Sequence, residues 1–206
     1  YYIKSSELKS PESFHNLGYL YLTGYGIQQD LVKAYDYFLK GANLNNVSSY
    51  RMLAFMRLYG EGIQQDFQKA KEYYDKAIEL NDYNSLVSEG FLYYYGHSVE
   101  KDYLKARELF QLAADKNVAN GYYNLGKMYK RGDFGYRNYQ LAINYFEKAA
   151  SLHQPDALYY LGKLYFKGQG VTKNYKIAKE YYEKAAFLGN SEGMYCLGNI
   201  YRKGYG

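Results

Sequence analysis

Glycine-x-glycine tripeptides are the feature of this sequence whose spacing comes nearest to a known chemical motif. They occur at 24–26, 60–62 and 168–170. Glycine-rich loops hold phosphates when they follow a strand and open a helix, because the backbone N–H groups at the helix start then face the anion. Here each tripeptide follows a helical pattern and recurs at a fixed place between two helices. The spacing therefore predicts a structural turn and no phosphate site.

The histidines and the cysteine form no recognisable set of ligands or nucleophiles. His15, His97 and His153 occupy three different positions of the repeat described below, and Cys196 has no evident base to activate it. A single Cys excludes a disulfide framework and, with three scattered His, a Cys/His zinc module. We expect no metal site and no cofactor, surface histidines, and a solvent-facing or half-buried thiol.

The carboxylates are distributed as expected for solvated helix surfaces. Glu72 precedes Lys76 by four residues, and Glu180 precedes Lys184 by four. This spacing places opposite charges next to each other on a helix. No two carboxylates stand apart from this pattern as an acid/base couple, so the sequence predicts that the chain is not an enzyme.

A repeat of 36 residues organises these features. Shifting the sequence by 36 superposes an alanine column, an always aromatic column and an Asp/Asn column, besides a column of glycines. The glycine column consists of Gly24, Gly60, Gly96, Gly132, Gly168 and Gly204. Self-similarity at such a period is typical of helical solenoids, in which each unit buries its apolar face only by stacking on neighbours.

The period sets the expected boundaries along the chain. Five repeats run over 11–46, 47–82, 83–118, 119–154 and 155–190. Residues 1–10 match the end of the second helix of a preceding repeat, and residues 191–206 match the first helix of a further one. We expect one solenoid domain that forms part of a longer array, because neither end resembles the polar capping repeats that a solenoid needs.

Each repeat reads as two helices joined by a loop. In the fifth repeat, Pro155 opens the first helix, and an apolar residue recurs every fourth position after it. The glycine loop at 168–170 ends this helix, Asn174 caps the second one, and Gly189 or Asn190 closes it. The pattern predicts an all-α fold, a right-handed α-solenoid of antiparallel helix pairs.

These residues resemble the Sel-1-like repeat family, a relative of the tetratricopeptide repeat. The resemblance rests on the following residues of the fifth repeat: Ala157, Leu161, Gly162, Tyr165, Gly168, Gly170, Val171, Tyr175, Ala178, Tyr181, Tyr182, Ala185, Ala186 and Gly189. It extends over essentially the whole chain, and the period of 36 favours this family over the plain tetratricopeptide form. The resemblance implies an adaptor or scaffold that holds protein partners and works within a larger complex. Some secreted members resemble enzymes, but those are cysteine-rich, unlike this chain.

Three residues depart from the family pattern. Glu89 stands where the other repeats have Leu, and Arg57 stands in an otherwise aromatic column of the preceding repeat. Because a single buried charge is costly, we hypothesise a partly buried Arg57–Glu89 ion pair; the alternative is a rotated helix that leaves both charges in water. Phe134 replaces the second loop glycine and Gly135 follows it, which predicts a reshaped loop.

Three variable columns of the first helices change their chemistry along the chain. The early repeats carry aromatic and aliphatic residues in these columns, and the later repeats carry Lys and Arg. In related helical-pair repeats the first helices line the concave face, which binds partners. The candidate partner-binding residues are Tyr19, Phe55, Tyr59, Phe91, Tyr94, Tyr95, Lys127, Lys130, Arg131, Lys163 and Lys167.

Net charge follows the same gradient. Residues 1–118 carry 13 basic and 15 acidic side chains, whereas residues 119–206 carry 13 basic and 6 acidic ones. We hypothesise a bipartite groove that binds a peptide or protein, with apolar anchors near Phe55 and Phe91 and acidic residues facing Lys127, Arg131 and Lys163. The alternative is that the aromatic residues pack against neighbouring helices and the lysines only keep the surface soluble.

Two other functions stay open. A basic groove with interleaved Tyr can bind nucleic acid. Two observations disfavour this partner: the net positive charge of the later repeats is modest, and the pattern predicts that most of their lysines form helix-surface ion pairs. The array could also be the substrate-docking arm of a larger enzyme.

The sequence contains no apolar stretch long enough for a membrane span. The single Cys fits a cytoplasmic location, whereas the sequon at 46–48 leaves a luminal or secreted one open.

Overall fold

The computed structural model describes residues 10–97 and 99–205. This part of the chain forms helices and loops without strands, which confirms the predicted all-α repeat fold. The helices are α1 (Pro11–Thr23), α2 (Leu31–Ala42), α3 (Val47–Tyr59), α4 (Phe67–Glu79), α5 (Asn84–Tyr95), α6 (Tyr103–Asp115), α7 (Ala119–Arg131), α8 (Tyr139–Ser151), α9 (Pro155–Lys167), α10 (Tyr175–Phe187) and α11 (Ser191–Lys203). Of the segment expected to end a preceding repeat, only Ser10 is among the described residues, and its hydroxyl caps α1.

The chain divides into two compact units, with the division between Lys101 and Asp102. The first unit contains α1 to α5, and each of these helices packs against the next along the chain. The second unit contains α6 to α11, which pack in the same consecutive manner. The division falls in the loop between α5 and α6, inside the third of the predicted repeats.

An Asp or Asn begins each second helix, as the sequence predicted. In α2, α4, α6, α8 and α10 this side chain accepts a hydrogen bond from the backbone N–H three residues later, at 2.9–3.0 Å. The bond satisfies one of the N–H groups that a helix leaves unpaired at its start. Pro11 and Pro155 take the first position of α1 and α9, which is the helical position where a missing N–H costs nothing.

Glycine ends each first helix in the left-handed backbone conformation. The six glycines of this column have φ between +67° and +84°, a region that residues with a Cβ rarely adopt. The same conformation occurs two or three residues after the end of each second helix, but there the residues are Asn45, Asn81, Asn117, His153 and Gly189. Asn tolerates this region better than other residues with a Cβ. The sequence identified only Gly189 of this second column.

The helices of a pair run antiparallel, and a small residue lets them approach closely. In the first pair the N–H of Asp30 donates to the carbonyl of Tyr21 at 3.0 Å, which ties the start of α2 to the end of α1. Further along the same pair, the ring of Phe38 lies on the backbone of Gly18, where an added Cβ would come within 2.6 Å of it. Phe38 and the equivalent Phe110 and Phe146 are fully buried, so the aromatic column forms the centre of the core.

The loop after α7 differs from the others, as expected from Phe134. Its Gly135 N–H donates to the carbonyl of Gly132 at 2.9 Å, which closes an extra turn. The Phe134 ring packs on Tyr129, with ring centroids 5.3 Å apart, and beneath the guanidinium of Arg107. The substitution therefore replaces a flexible glycine with an aromatic contact inside the second unit.

Candidate functional site

The first unit has a pocket with aromatic walls between α3, α4 and α5. It encloses about 510 Å³, and Phe55, Tyr59, Phe91 and Tyr95 of the predicted binding residues line it. Phe55 and Tyr59 stand one helical turn apart on α3 with ring centroids 4.7 Å apart, and Phe91 and Tyr95 form the equivalent pair on α5 at 5.9 Å. The structure thus brings together four residues that the sequence selected separately.

Three of these four residues keep much of their surface in contact with solvent, and Phe91 is half-buried. Phe55 is 40% exposed, Tyr59 62% and Tyr95 57%. Large exposed aromatic residues on one wall are uncommon unless the surface binds something. Tyr74 forms the buried floor, and burial raises the pKa of its phenol to about 12. The lining of the pocket is mainly aromatic and aliphatic and includes no Asp, Glu, Lys or Arg.

Two of the predicted binding residues of the first unit lie elsewhere. Tyr94 is only 9% exposed and its ring packs edge-on against Tyr95 at 5.0 Å, so it supports the wall and offers little surface to a partner. This burial disfavours the direct binding role expected for Tyr94. Tyr19 is exposed on α1 but does not line the pocket.

The second unit places its predicted lysines on tyrosine rings. The Nζ atom of Lys127 lies 5.0 Å from the ring centre of Tyr123, and that of Lys130 lies 4.9 Å from Tyr160. Lys163 lies 5.3 Å from the ring of Tyr159 and donates a hydrogen bond of 3.1 Å to its hydroxyl. Cation–π contacts of this kind hold each ammonium group in place without neutralising it.

These lysines lack carboxylate partners in the second unit. Within residues 102–205, no Asp or Glu oxygen lies within 4 Å of Lys127, Lys130, Lys163 or Lys167. Ion pairs between Lys and acidic residues are concentrated in the first unit instead. The expectation that the basic repeats carry mostly helix-surface ion pairs is therefore wrong for these four positions. Tyrosine rings take the place of the carboxylates at Lys127, Lys130 and Lys163.

The pKa values of these lysines reflect burial and the charges around them. Burial, followed by repulsion from Arg131, lowers the pKa of Lys127, while Asp156 and Asp133 act in the opposite direction. Burial also lowers the pKa of Lys130, and Lys163, Arg131 and Lys167 add further repulsion. By contrast, the hydrogen bond to Tyr159 raises the pKa of Lys163. The surface is thus a set of mutually repelling cations, and an added anion would relieve that repulsion.

The two unusual charges of the first unit have partners other than those predicted. Arg57 donates to the hydroxyl of Tyr35 through Nε at 3.1 Å and Nη2 at 2.9 Å. Glu89 is 6% exposed and accepts Lys71 at 3.2 Å, so it is neither paired as predicted nor left in water. Both partners project from second helices, which the prediction had not considered.

Comparison with known protein families matches the Sel1 repeat to five segments, 11–46, 47–82, 90–118, 119–153 and 155–190. The chain belongs to the Sel1 repeat family. Proteins of this family are generally protein-interaction scaffolds without catalytic activity. The third matched segment begins directly after Glu89, the residue that departs from the Leu of the other Sel1 repeats.

Solved structures of Sel1 repeat proteins share this architecture. A Sel1 repeat protein from Oxalobacter formigenes is 30% identical, with a TM-score of 0.84 over 96% of this chain and 80% of its own. A protective antigen of uropathogenic Escherichia coli is 28% identical, with a TM-score of 0.80; the match covers 99% of this chain and 44% of the antigen. An immunity protein from Pseudomonas aeruginosa is 24% identical, with a TM-score of 0.66 over 93% and 74% of the two chains, and shows the fold alone. No curated protein sequence matches the chain.

Some pocket residues lie outside the three Sel1 columns that the sequence analysis had selected. Phe67, the first residue of α4, stacks on His97 with ring centroids 5.2 Å apart, and both line the pocket of the first unit. Phe67 follows the capping Asp66, a position that is apolar in every repeat and therefore reads as core. Only the exposure of the neighbouring rings distinguishes a pocket wall from core at such a position.

The histidines and the cysteine, which could bind a metal or act in catalysis, are not brought together in the described residues. Within the described residues, no three His, Cys, Asp or Glu side chains are arranged to hold a metal ion. His97 and His153 are exposed as expected, but His15 is half-buried against Phe38, and burial followed by the charge of Arg51 lowers its pKa. Cys196 is a half-buried free thiol. No described helix is long and apolar enough to cross a membrane.

Proposed function

We propose that this Sel1 repeat chain is a non-catalytic scaffold that binds protein partners through its first helices. The observation that carries the proposal is the contrast within equivalent columns. These positions hold exposed aromatic side chains in the first unit and mutually repelling cations in the second. Positions that vary on a constant frame are where repeat proteins acquire their specificity.

The first unit supplies an apolar binding surface of its own. Its pocket of about 510 Å³ is within the range of sites that take a ligand group or a few side chains. Aromatic residues such as Phe55 and Tyr95 contribute much of the binding energy at protein interfaces, because they bury a large area with few rotatable bonds. We expect this unit to bind apolar anchor residues of a partner.

The second unit supplies a charged binding surface of its own. Lys127, Lys130, Arg131, Lys163 and Lys167 repel one another and are only partly compensated. An acidic partner segment would remove that repulsion, and complementary charge accelerates association and selects among partners. We expect this unit to prefer segments rich in Asp and Glu.

Affinity capture with matched variants tests the proposal. One bait is the unchanged chain, the second carries Phe55→Ala and Phe91→Ala, and the third carries Lys127→Glu and Lys163→Glu. A control bait carries Lys148→Glu and Lys184→Glu on α8 and α10, where both lysines are exposed and also lie over tyrosine rings. Circular dichroism first establishes that all four are folded.

The proposal predicts a partner that both the unchanged bait and the control bait capture. With at least one of the two site variants, the captured amount of this partner must fall at least tenfold. Retention by all four baits would place the binding surface outside these columns and refute the assignment. Nucleic acid is the rival partner, because four lysines of the second unit have no carboxylate of that unit within 4 Å, namely Lys127, Lys130, Lys163 and Lys167. Retention on a heparin column up to high salt, abolished by Lys127→Glu and Lys163→Glu, would favour it.

A further inference from the structure

The second unit contains a pocket between α9, α10 and α11 that combines cations with an aromatic floor. It encloses about 350 Å³. Four of its lining residues are basic, namely Lys163, Lys167, Arg202 and Lys203, and the residues around it include no Asp or Glu. Arg202 and Lys203 come from the last turn of α11 and were not among the residues selected from the sequence.

The polar groups of this pocket are held in place by neighbours on the protein. Lys163 donates to the Tyr159 hydroxyl at 3.1 Å, and Arg202 donates to the side-chain oxygen of Asn199 at 2.8 Å. Both bonds join residues of one helix, so they orient the cations without reducing their charge. A rim that is oriented in advance loses less conformational entropy when an anion binds.

The floor of the pocket is apolar. Tyr182 is 2% exposed, and the rings of Phe166 and Tyr205 lie 5.8 Å apart beside it. The volume is large enough for one large apolar side chain. The pocket therefore combines a site for one side chain with a basic rim.

We propose that this pocket binds an acidic peptide segment in which one large apolar side chain is flanked by Asp or Glu. The side chain enters the aromatic floor, and the flanking carboxylates pair with Lys163, Lys167 and Arg202. This inference rests on the proposed scaffold function and assigns a partner chemistry to one part of it. Arg202 can take a carboxylate in a two-point hydrogen bond, which fixes the direction of the segment.

The aromatic geometry favours a peptide over a nucleic acid. Proteins hold single-stranded nucleic acid by stacking bases on free aromatic faces. In this pocket the face of Tyr159 is covered by Lys163, and Tyr205 stacks on Tyr175 with ring centroids 4.6 Å apart. Tyr195 is exposed at the rim and provides one free ring. One platform is too few to hold successive bases, whereas a peptide needs only the single apolar cavity.

Titration calorimetry with short peptides tests the inference. The probes are the blocked pentapeptides EDFED, EDGED and KKFKK and a blocked five-nucleotide oligothymidylate. We expect EDFED to bind at least tenfold more tightly than EDGED, because EDGED lacks the apolar side chain, and we expect no measurable heat from KKFKK. Tighter binding of the oligonucleotide than of EDFED would overturn the assignment in favour of nucleic acid. Equal binding of EDFED and EDGED would overturn the role of the floor.

Cys196 reports the place of binding. It is the single cysteine of the chain and lines this pocket, so maleimide modification at a limited reagent concentration follows access to one site. Saturating EDFED is expected to slow the modification at least fivefold. If calorimetry detects binding but the rate of Cys196 modification stays the same, the peptide binds elsewhere and the assignment to this pocket is refuted.

Charge variants separate a specific site from general attraction. Lys163→Glu with Lys167→Glu is expected to weaken EDFED at least tenfold, whereas Lys148→Glu with Lys184→Glu changes net charge equally and is expected to leave binding within twofold. Equal weakening by both pairs would contradict a defined pocket. If EDFED fails to bind while protein capture still depends on Phe55 and Phe91, this inference falls and the scaffold function stands. If capture also fails to depend on any tested residue, the scaffold assignment falls with it.

Discussion

Glu89 shows how a single residue can depart from the repeat and still be accommodated. Its carboxylate is buried in a column where the other Sel1 repeats have leucine, and Lys71 on α4 lies 3.2 Å away. Burial opposes the charge of Lys71, but the carboxylates of Asp75 and Glu89 outweigh this and leave its pKa raised. A buried pair of this kind compensates its own desolvation and adds little net stability.

The pair predicts an asymmetric response to substitution. Glu89→Leu restores the residue of the other repeats and is expected to leave the free energy of unfolding unchanged or raise it. Lys71→Met, which keeps the aliphatic stem, is expected to lower it by about 2 kcal/mol, because Glu89 then stays buried without its cation. The variant that combines Glu89→Leu with Lys71→Met is expected to regain the lost free energy of unfolding. Urea unfolding of the four proteins measures this, and a Glu89→Leu variant less stable than Lys71→Met would contradict it.

Residues that set the backbone were predictable from the sequence, whereas the choice of side-chain partners was not. Gly60 and Asp66 carry local signals, because a left-handed turn and a helix start each favour a few residue types wherever they occur. The partner of Arg57 depends instead on which side chain of a neighbouring helix lies opposite. Tyr35 and Lys71 belong to second helices, so a comparison of first helices alone paired Arg57 with Glu89. Similarly, Glu72 pairs with Lys69 at 2.9 Å and not with Lys76 as expected, because Lys76 turns toward Glu79.

At the scale of the helix pair, close approach depends on a small residue beneath the aromatic residue of the core, which is glycine in most repeats and Ala54 beneath Tyr74 in the second. A Cβ added at Gly126 would lie 2.7 Å from the ring of Phe146, and one at Gly162 would lie 2.7 Å from Tyr182. Glycine weakens an isolated helix by up to about 1 kcal/mol relative to alanine. Its presence here is explained by packing, since the overlap would force two buried helices apart.

The column that contains Gly126 also provides a control position, Gly198. Gly126→Ala is expected to destabilise the protein by about 1–2 kcal/mol, because overpacking outweighs the gain in helix propensity. Gly198→Ala lies at the equivalent position of α11, where an added Cβ meets no atom within 4 Å, and is expected to stabilise by up to about 1 kcal/mol. Thermal unfolding followed by circular dichroism measures both. The changes in stability of the two variants must have opposite signs. A loss of stability in both would show that helix separation is not the cause.

At the scale of the whole molecule, charge is divided along the chain in the same place as the structure. Residues 1–101 carry 10 basic and 12 acidic side chains, and residues 102–206 carry 16 basic and 9 acidic ones. The apolar pocket lies in the first unit, and the lysines that repel one another lie in the second. Since repulsion among like charges weakens a fold while attracting anions, stability and binding in the second unit are expected to respond oppositely to salt.

Raising NaCl from about 50 to about 500 mM is therefore expected to raise the thermal midpoint of the free protein, because the repulsion of Lys130 by Lys163, Arg131 and Lys167 is screened. Over the same range the affinity for the EDFED peptide is expected to fall about tenfold, since the same screening weakens its carboxylate contacts. The variant with Lys163→Glu and Lys167→Glu already lacks the repulsion, so its midpoint is expected to change less with salt. A wild-type midpoint that falls with salt, or a variant that responds as strongly as the wild type, would show that these cations do not limit the stability of the second unit.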